Sequence, residues 1–347
     1  MRTAVIGAGY IAREHLAALR EIGVEVAAIC DRSAALAEAL AEEHGVPQWF
    51  DDAERMLRAV APDVVHVATP PRSHVALARA ALEAGAHVFV EKPIALTPSE
   101  LRELQELAVA RGRWLVEDHN YRFNPAIQRI AEWADSGALG APVHVDVLFA
   151  VDALGPGSRH ADPNAPDPFS GLPGGPVLDF ITHLAYLACA FLGEHREVAT
   201  QWGQRGASGA RWDEFRALVR AERGTAALAF SANAQPDTFS VTVHGTRLRA
   251  RASLFEPLLA VERLRGGPRP LLPVRNGLAV AAAHAHASVA GLWRKLAGKP
   301  VTYAGLWELL RRFYAALAAG AKPPIAPAEI AAANRLVFAM LDQEPRR

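Results

Sequence analysis

From Arg2 to about Asp118, short apolar runs alternate with longer stretches of helical periodicity. The runs are Thr3–Ile6, Val24–Cys30, Asp63–Ala68, His87–Val90 and Trp114–Glu117. Between them Ala12–Ile22, Ala34–His44, Ser73–Ala84 and Pro98–Arg111 repeat their apolar positions at helical spacing. Runs that are apolar on both sides suit strands buried on both faces, so the alternation predicts a parallel sheet with helices on each side. Right-handed crossovers then leave the doubly wound arrangement as the simplest solution.

Beyond Asn120 the rhythm changes. One helical stretch, Pro125–Ser136, leads into the alternating run Val143–Val151, a Pro- and Gly-rich loop from Gly155 to Pro176, and a second helical stretch, Leu178–Leu192. Six runs of strand pattern follow: Val198–Trp202, Glu214–Glu222, Thr225–Ala232, Thr238–His244, Arg247–Leu254 and Leu259–Leu264. Glycine or proline punctuates most joins, as antiparallel meanders require. Helical patterns return at Tyr303–Ala318 and Pro327–Leu341, the latter with proline at its first turn. The expected architecture is α/β: a Rossmann-type doubly wound sheet over residues 1–120, then an α+β domain over 121–347 with a mostly antiparallel open sheet.

At 347 residues the chain exceeds one ordinary core, in keeping with two domains. Lys plus Arg and Asp plus Glu number 37 each, so no net positive field exists to attract nucleic acid or acidic lipid. Cys30 and Cys189 stand far apart in apolar surroundings, which suits buried thiols in a reducing compartment better than a disulfide framework or a zinc site. Met1 leads directly into strand-like sequence with no secretory signal pattern, and the longest apolar stretch, Leu278 to Trp293, falls short of a bilayer span. The expectation is a cytoplasmic protein without a membrane partner. Within residues 266–302, His284 and His286 are two apart and make a poor metal pair; the segment reads as a helix against the core or a partner subunit.

Chemistry begins at the first strand's end. Gly7-Ala8-Gly9-Tyr10-Ile11-Ala12 follows it and opens a helix. In that context the first glycine permits the tight turn, the second lets the backbone approach a pyrophosphate, and the third small residue lets helix pack on strand. The helix N-terminus then offers N–H groups and a positive dipole end to the phosphates. Asp31, 24 residues after Gly7 at the second strand's end, suits both ribose hydroxyls and favours NAD. Its neighbour Arg32 keeps NADP open, because a guanidinium can pair with a 2′-phosphate. Lys92 follows the fourth run, where strand C-termini face the ligand crevice, and a partly desolvated lysine there suits acid–base work. Asp179 and His183 lie four apart on a predicted helix and share a face. By themselves a lysine after a strand is a surface residue and such an Asp/His pair a structural hydrogen bond. No third ligand stands at diagnostic spacing, so no metal is expected.

In combination these segments are more specific. Gly7–Ala12, Ala68-Thr69-Pro70-Pro71 with His74, Glu91-Lys92-Pro93, Asn120-Tyr121-Arg122-Phe123-Asn124-Pro125, and Gly174-Gly175 followed by Asp179 and His183 occur in that order. The chain thereby resembles the Gfo/Idh/MocA family, the relatives of glucose–fructose oxidoreductase and inositol dehydrogenase. The resemblance implies a Rossmann domain followed by an α/β domain whose open sheet forms homodimer or homotetramer contacts. The family's EKP lysine maps onto Lys92, and its D-x-x-x-H pair onto Asp179 and His183. The implied reaction moves a hydride between a nicotinamide and a secondary alcohol or ketone of a sugar, cyclitol or nucleotide-linked sugar. His183 is then the general base, Asp179 orients the substrate or stabilises the imidazolium, and Lys92 is a donor to the developing alkoxide.

The expected cofactor contacts are Gly7, Gly9, Tyr10, Ile11, Asp31, Arg32, Ala68, Thr69, Pro70, His74, Glu91, Lys92 and Asn120. Tyr121, Arg122, Phe169, Asp179 and His183 are the expected substrate contacts. For Arg122 a structural ion pair is an equal reading. The loop Gly155–Pro173, carrying Arg159, His160, Asp162, Asp167 and Phe169, is either a specificity lid or an oligomer contact. Two rivals to a dehydrogenase stand: a cofactor-bound regulator, since the resemblance extends to a sugar-sensing repressor, and a glycosidase that oxidises its substrate transiently with recycled NAD.

Overall fold

The computed structural model describes residues 1–155, 158, 169–206, 210–256, 258–263, 268–296 and 303–345. The loop residues Arg159, His160, Asp162 and Asp167 lie outside this set. Contacts divide the chain into two compact units, one of Met1–His119 with Leu306–Ala331, the other of Asn120–Gly305 with the residues from Ala332 on.

In the first unit, β1 (Thr3–Ile6) leads to α1 (Tyr10–Glu21), β2 (Val26–Cys30), α2 (Ala34–His44), β3 (Trp49–Phe50), α3 (Ala53–Val60), β4 (Val64–Val67), α4 (His74–Glu83), β5 (His87–Val90), α5 (Pro98–Arg111) and β6 (Leu115–Glu117). The six strands pair in parallel in the order β3-β2-β1-β4-β5-β6. Every residue of β1 and β4 is buried, as strands covered on both faces require. Helix starts carry local signals: Ser33 caps α2, Asp52 caps α3, and Thr97 with Glu100 forms a capping box at α5 with Pro98 in its first turn. Each such cap stabilises its helix by about 1 kcal/mol. Neither β3 nor α3 is visible in the apolar alternation.

The second unit opens with α6 (Pro125–Asp135), β7 (Pro142–Ala150) and α7 (Val177–Leu192). Then come β8 (His195–Gly203), β9 (Glu214–Ala221), β10 (Gly224–Ser231), β11 (Thr238–Gly245), β12 (Leu248–Ser253), β13 (Leu258–Arg263) and α8 (Leu272–Leu296). Its sheet runs β13-β12-β11-β7-β10-β9-β8. All pairings are antiparallel except β7 with β10, so the first strand of this unit stands in the middle. α7 buries 14 of its residues and covers β7, β9 and β10. Such all-round burial marks a helix inside a core. Along β9 the burial alternates, Phe215, Ala217 and Val219 inward, Arg216, Leu218 and Arg220 outward, which leaves the far face of the sheet open.

α8 packs along β13, yet Val274, Leu278, Val289, Leu292 and Trp293 remain exposed. Among the described residues no helix is long and apolar enough to cross a membrane. Burial pushes the thiols of Cys30 and Cys189 up to about 12, so both behave as small apolar groups.

The last helices are α9 (Ala304–Ala318) and α10 (Pro327–Leu341). A division at residue 120/121 assigns α9 to the second part, whereas its residues from Leu306 onward belong to the first unit. The cause is aromatic packing: Phe313 stands edge-on to Phe89 of β5 and to Trp114, with ring centroids 5.6 Å apart in both pairs. Contacts of that kind contribute about 0.5–1.5 kcal/mol each beyond the area they bury.

Candidate active site

In the first unit the glycine turn has the geometry its sequence implies. Gly7 has φ of +112°, and a Cβ there would stand 2.2 Å from the Ala68 carbonyl oxygen. The turn after β1 therefore presses directly on the turn after β4, and only glycine fits. Ala12 is fully buried where helix meets strand. Gly9 precedes α1 in extended backbone, and a Cβ built on it meets nothing within 4 Å. α1 begins with no side-chain cap and no acidic residue in its first turn. Open space before uncapped helix N–H groups is the cradle a pyrophosphate fills, so the residues fit a dinucleotide.

Asp31 binds the same turn. Its Oδ2 accepts from the Ala8 N–H at 2.9 Å and its Oδ1 from the Ser33 N–H at 2.9 Å. Each carboxylate oxygen retains further acceptor capacity for ribose hydroxyls. Arg32 and Tyr10 are exposed, and Ile11 is half-buried. Ser73 Oγ lies 2.8 Å from both Thr69 Oγ1 and the Pro70 carbonyl, donating its proton to the carbonyl, which fixes the Ala68-Thr69-Pro70 turn.

Two of the expected cofactor contacts, His74 and Glu91, have side chains that face the interior of the first unit. His74 is fully buried, with Nδ1 2.8 Å from the Pro93 carbonyl and Nε2 2.6 Å from the Thr69 carbonyl. The ring staples the Thr69 turn to the Lys92-Pro93 turn, so its nitrogens serve the backbone. Burial lowers its proton affinity and outweighs the two carbonyls, which favour the charged ring. Glu91 likewise faces the interior, where its Oε1 accepts from His15 Nε2 at 3.0 Å.

That bond ends a buried chain that no local pattern of residues announces. Thr3 Oγ1 meets Tyr314 Oη at 3.1 Å, Tyr314 Oη meets His66 Nε2 at 2.8 Å, and His66 Nδ1 meets His15 Nδ1 at 2.9 Å. Burial, then the neighbouring His15, hold His66 well below the usual histidine range. Asp118, directly after β6, is buried beside Glu91. Glu117 accepts from the Ile94 N–H at 2.9 Å and from His119 Nε2 at 2.9 Å.

In the second unit, α7 places Asp179 and His183 one turn apart, and both are buried. Tyr186, one turn further, donates its hydroxyl proton to Asn120 Oδ1 at 3.1 Å. Its oxygen must then accept from the Tyr121 N–H at 3.2 Å and from His183 Nδ1 at 2.9 Å. That order fixes the neutral His183 tautomer: Nδ1 carries the proton and Nε2 is the basic nitrogen. The Tyr121 ring stands edge-on to His183 with centroids 4.9 Å apart. Asn120, expected at the cofactor, thus orients Tyr186. The Arg122 carbonyl accepts from Gln128 Nε2 at 2.9 Å, and Phe169 is buried. Sequence reasoning missed Tyr186, although three residues after His183 on one helix it had to share that face.

Residues 1–119 match the family model described as the oxidoreductase family with an NAD-binding Rossmann fold, and residues 127–251 match the GFO/IDH/MocA C-terminal domain. D-glucoside 3-dehydrogenase of Escherichia coli (strain K12) is 36% identical over 195 residues, 56% of this chain and 54% of that protein. D-apiose dehydrogenase of Paraburkholderia graminis is 35% identical over 147 residues, 42% of this chain and 39% of that protein. The matches thus span about half the length, or less, of these curated relatives. The solved UDP-N-acetylglucosamine 3-dehydrogenase of Acidithiobacillus ferrooxidans superposes with a TM-score of 0.77 at 21% identity, covering 100% of this chain and 99% of that one, which bears on the fold. With both domain models matched in order and both architectures in place, the chain belongs to the Gfo/Idh/MocA oxidoreductase family, its first unit an NAD-binding Rossmann fold.

Proposed function

We propose that the protein is an NAD-dependent dehydrogenase, or the corresponding reductase, acting on a secondary alcohol of a sugar, cyclitol or nucleotide-linked sugar. The observation that carries this reading is the hydrogen-bond order Asn120–Tyr186–His183, which makes His183 Nε2 the basic nitrogen of a neutral ring on a buried helix. A base so oriented suits the removal of a hydroxyl proton. Bound NAD supplies the hydride acceptor. Gly7, Gly9 and the start of α1 hold its pyrophosphate, Asp31 its ribose, and the Thr69-Pro70 turn lines the same site. Lys92 has the role of donating a hydrogen bond to the developing alkoxide, and His183 that of taking the hydroxyl proton. Asp179 orients the substrate or the imidazolium, and Tyr121, Arg122 and Phe169 belong to the substrate side. The Asp31 carboxylate favours NAD over NADP, because a 2′-phosphate would meet it as like charge.

The open sheet face, with Leu218 at 68% exposure, and the exposed apolar residues of α8 support a homodimer or homotetramer. The test screens polyols, aldoses, inositols and nucleotide sugars with NAD and with NADP, following nicotinamide absorbance. Turnover that Lys92→Ala and His183→Ala each abolish is expected. Tight cofactor binding without turnover of any of these compounds refutes the reading in favour of a regulator, and wild-type turnover in both variants refutes the residue roles.

A further inference from the structure

Asp118 is 1% exposed, and neither of its carboxyl oxygens meets a hydrogen-bond donor among the described residues. The side chain against it is a second carboxyl, that of Glu91, and one carboxyl oxygen of each and a ring nitrogen of His15 all lie within 4.8 Å of one another. Two carboxyls in contact can form a hydrogen bond only if one of them is protonated. The partners decide which. Glu91 Oε1 has His15 Nε2 at 3.0 Å, whereas neither oxygen of Asp118 has a donor among the described residues. With Glu91 ionised and the rings neutral, one consistent set of donors runs from Thr3 through Tyr314, His66 and His15 to Glu91. Glu91 is then the anion, and Asp118 supplies the remaining proton.

We propose that Asp118 is a protonated carboxyl in the folded protein, donating its hydrogen to Glu91, and that it serves as a positioning residue by keeping a single negative charge, that of Glu91, next to Lys92. The charged and titratable groups around the pair are His15 of α1, His66 of β4, His74 of α4, Lys92 after β5, Glu117 and His119 at the end of β6, and Tyr314 of α9. Glu117 is engaged by Ile94 and His119, and His74 by two carbonyls. Lys92 is therefore the positive charge that Glu91 balances, and a second ionised carboxylate would leave the group with a net negative charge in a dry interior. Burial, then the Glu91 charge and contact, raise Asp118 well above the usual carboxylate range, against the opposing pull of Lys92. Burial also raises Glu91, but the hydrogen bond from His15, together with the charge of Lys92, outweighs it and holds Glu91 below that range.

The role next to Lys92 rests on the proposed hydride-transfer reading; the protonation state does not. The experiment takes full-length protein labelled with 13C at the aspartate carboxyl and records infrared spectra across pH, with metal content measured on the same sample. A protonated-carboxyl stretch at neutral pH that shifts with the label, and is missing from Asp118→Asn, is expected. The label identifies an aspartic acid even if that variant fails to fold. In pH profiles of kcat/KM, Glu91→Gln moves the alkaline limb, set by loss of the Lys92 proton, to lower pH by about one unit, the effect of one nearby charge, whereas Asp118→Asn, which keeps a donor toward Glu91, leaves the limb in place. No labelled band, equal shifts in both variants, or a stoichiometric metal ion lost in Asp118→Asn each overturns the proposal. If Lys92→Ala retains turnover while the band is present, the hydride-transfer assignment fails and the protonated Asp118 stands.

Discussion

Gly9→Ala separates a cofactor cradle from a merely structural turn. At this position the backbone is extended, with φ of −79° and ψ of −173°, and an added methyl group meets nothing within 4 Å. At an N-cap alanine is less favourable than glycine by about 1 kcal/mol, and the loss of unfolded-chain freedom acts the other way by about 0.4–1 kcal/mol. The folded protein should therefore change by no more than about 1 kcal/mol. Gly7→Ala is the contrast, because its methyl would stand 2.2 Å from the Ala68 oxygen at φ of +112°. There the backbone strain and the forced repacking together cost about 2–6 kcal/mol. Cofactor binding reverses the ranking's meaning. The space in front of Gly9 is where a pyrophosphate approaches the N–H groups of α1, and a methyl group in it removes one charge-assisted hydrogen bond, about 1.5–3 kcal/mol or a ten- to hundredfold rise in Kd. Urea unfolding and calorimetric titration with NAD read the two quantities separately. If Gly9→Ala binds NAD within twofold of wild type, the turn does not hold the pyrophosphate. If it unfolds as easily as Gly7→Ala, the open space in front of Gly9 does not exist.

Tyr186→Phe removes the acceptor that holds the proton on His183 Nδ1; kcat should fall about ten- to hundredfold, as for a lost orienting partner, with KM nearly unchanged, and equal losses in both would refute the tautomer argument. Asp31→Ser should raise kcat/KM with NADP relative to NAD by at least about tenfold, measured on the same substrate, and should cost about 1–2 kcal/mol of stability in urea because the Ala8 and Ser33 N–H groups lose their carboxylate.

The alternation of short apolar runs and helices exposed the parallel sheet because strands buried on both faces have no polar side to blur the pattern. β3, at two residues, and α3, at eight, were too short to register. β7 at the centre of the second sheet and α9 back in the first unit depend on pairings distant in sequence, which periodicity does not encode. The site divides along the same line. Gly7, Gly9, Asp31, Asp179 and His183 sit on turns and helix faces whose geometry follows from local sequence. The chain through His15, His66 and Tyr314 joins residues 51 and 248 positions apart, so only the folded sheet brings it together. His74 and Glu91 were legible as residues of the motif but not in their direction, because a motif records which side chains occur and not which way they turn.

The buried chain also makes a claim about stability and pH. His66 has a depressed proton affinity in the folded state, so below its ordinary value of 6.5 the unfolded chain takes up a proton that the folded protein refuses. Its contribution is therefore complete above 6.5 and is lost as pH falls. Asp118 acts with the opposite sign: its affinity is raised, the unfolded residue ionises above 3.8, and the folded one keeps its proton. Its contribution is complete below 3.8 and is lost as pH rises. Each group carries a slope of up to about 1.4 kcal/mol per pH unit, and between 3.8 and 6.5 the two slopes oppose each other. Asp118→Asn removes one of them. Relative to wild type, the variant should therefore gain stability steadily as pH rises from 3.8, by up to about 1.4 kcal/mol per unit. Taking the difference between urea midpoints of variant and wild type at each pH cancels every other titrating group. A difference that stays constant across that interval would show that Asp118 ionises in the folded protein as readily as in the unfolded one, and the row of donors pointing at Glu91 would then lack its last member.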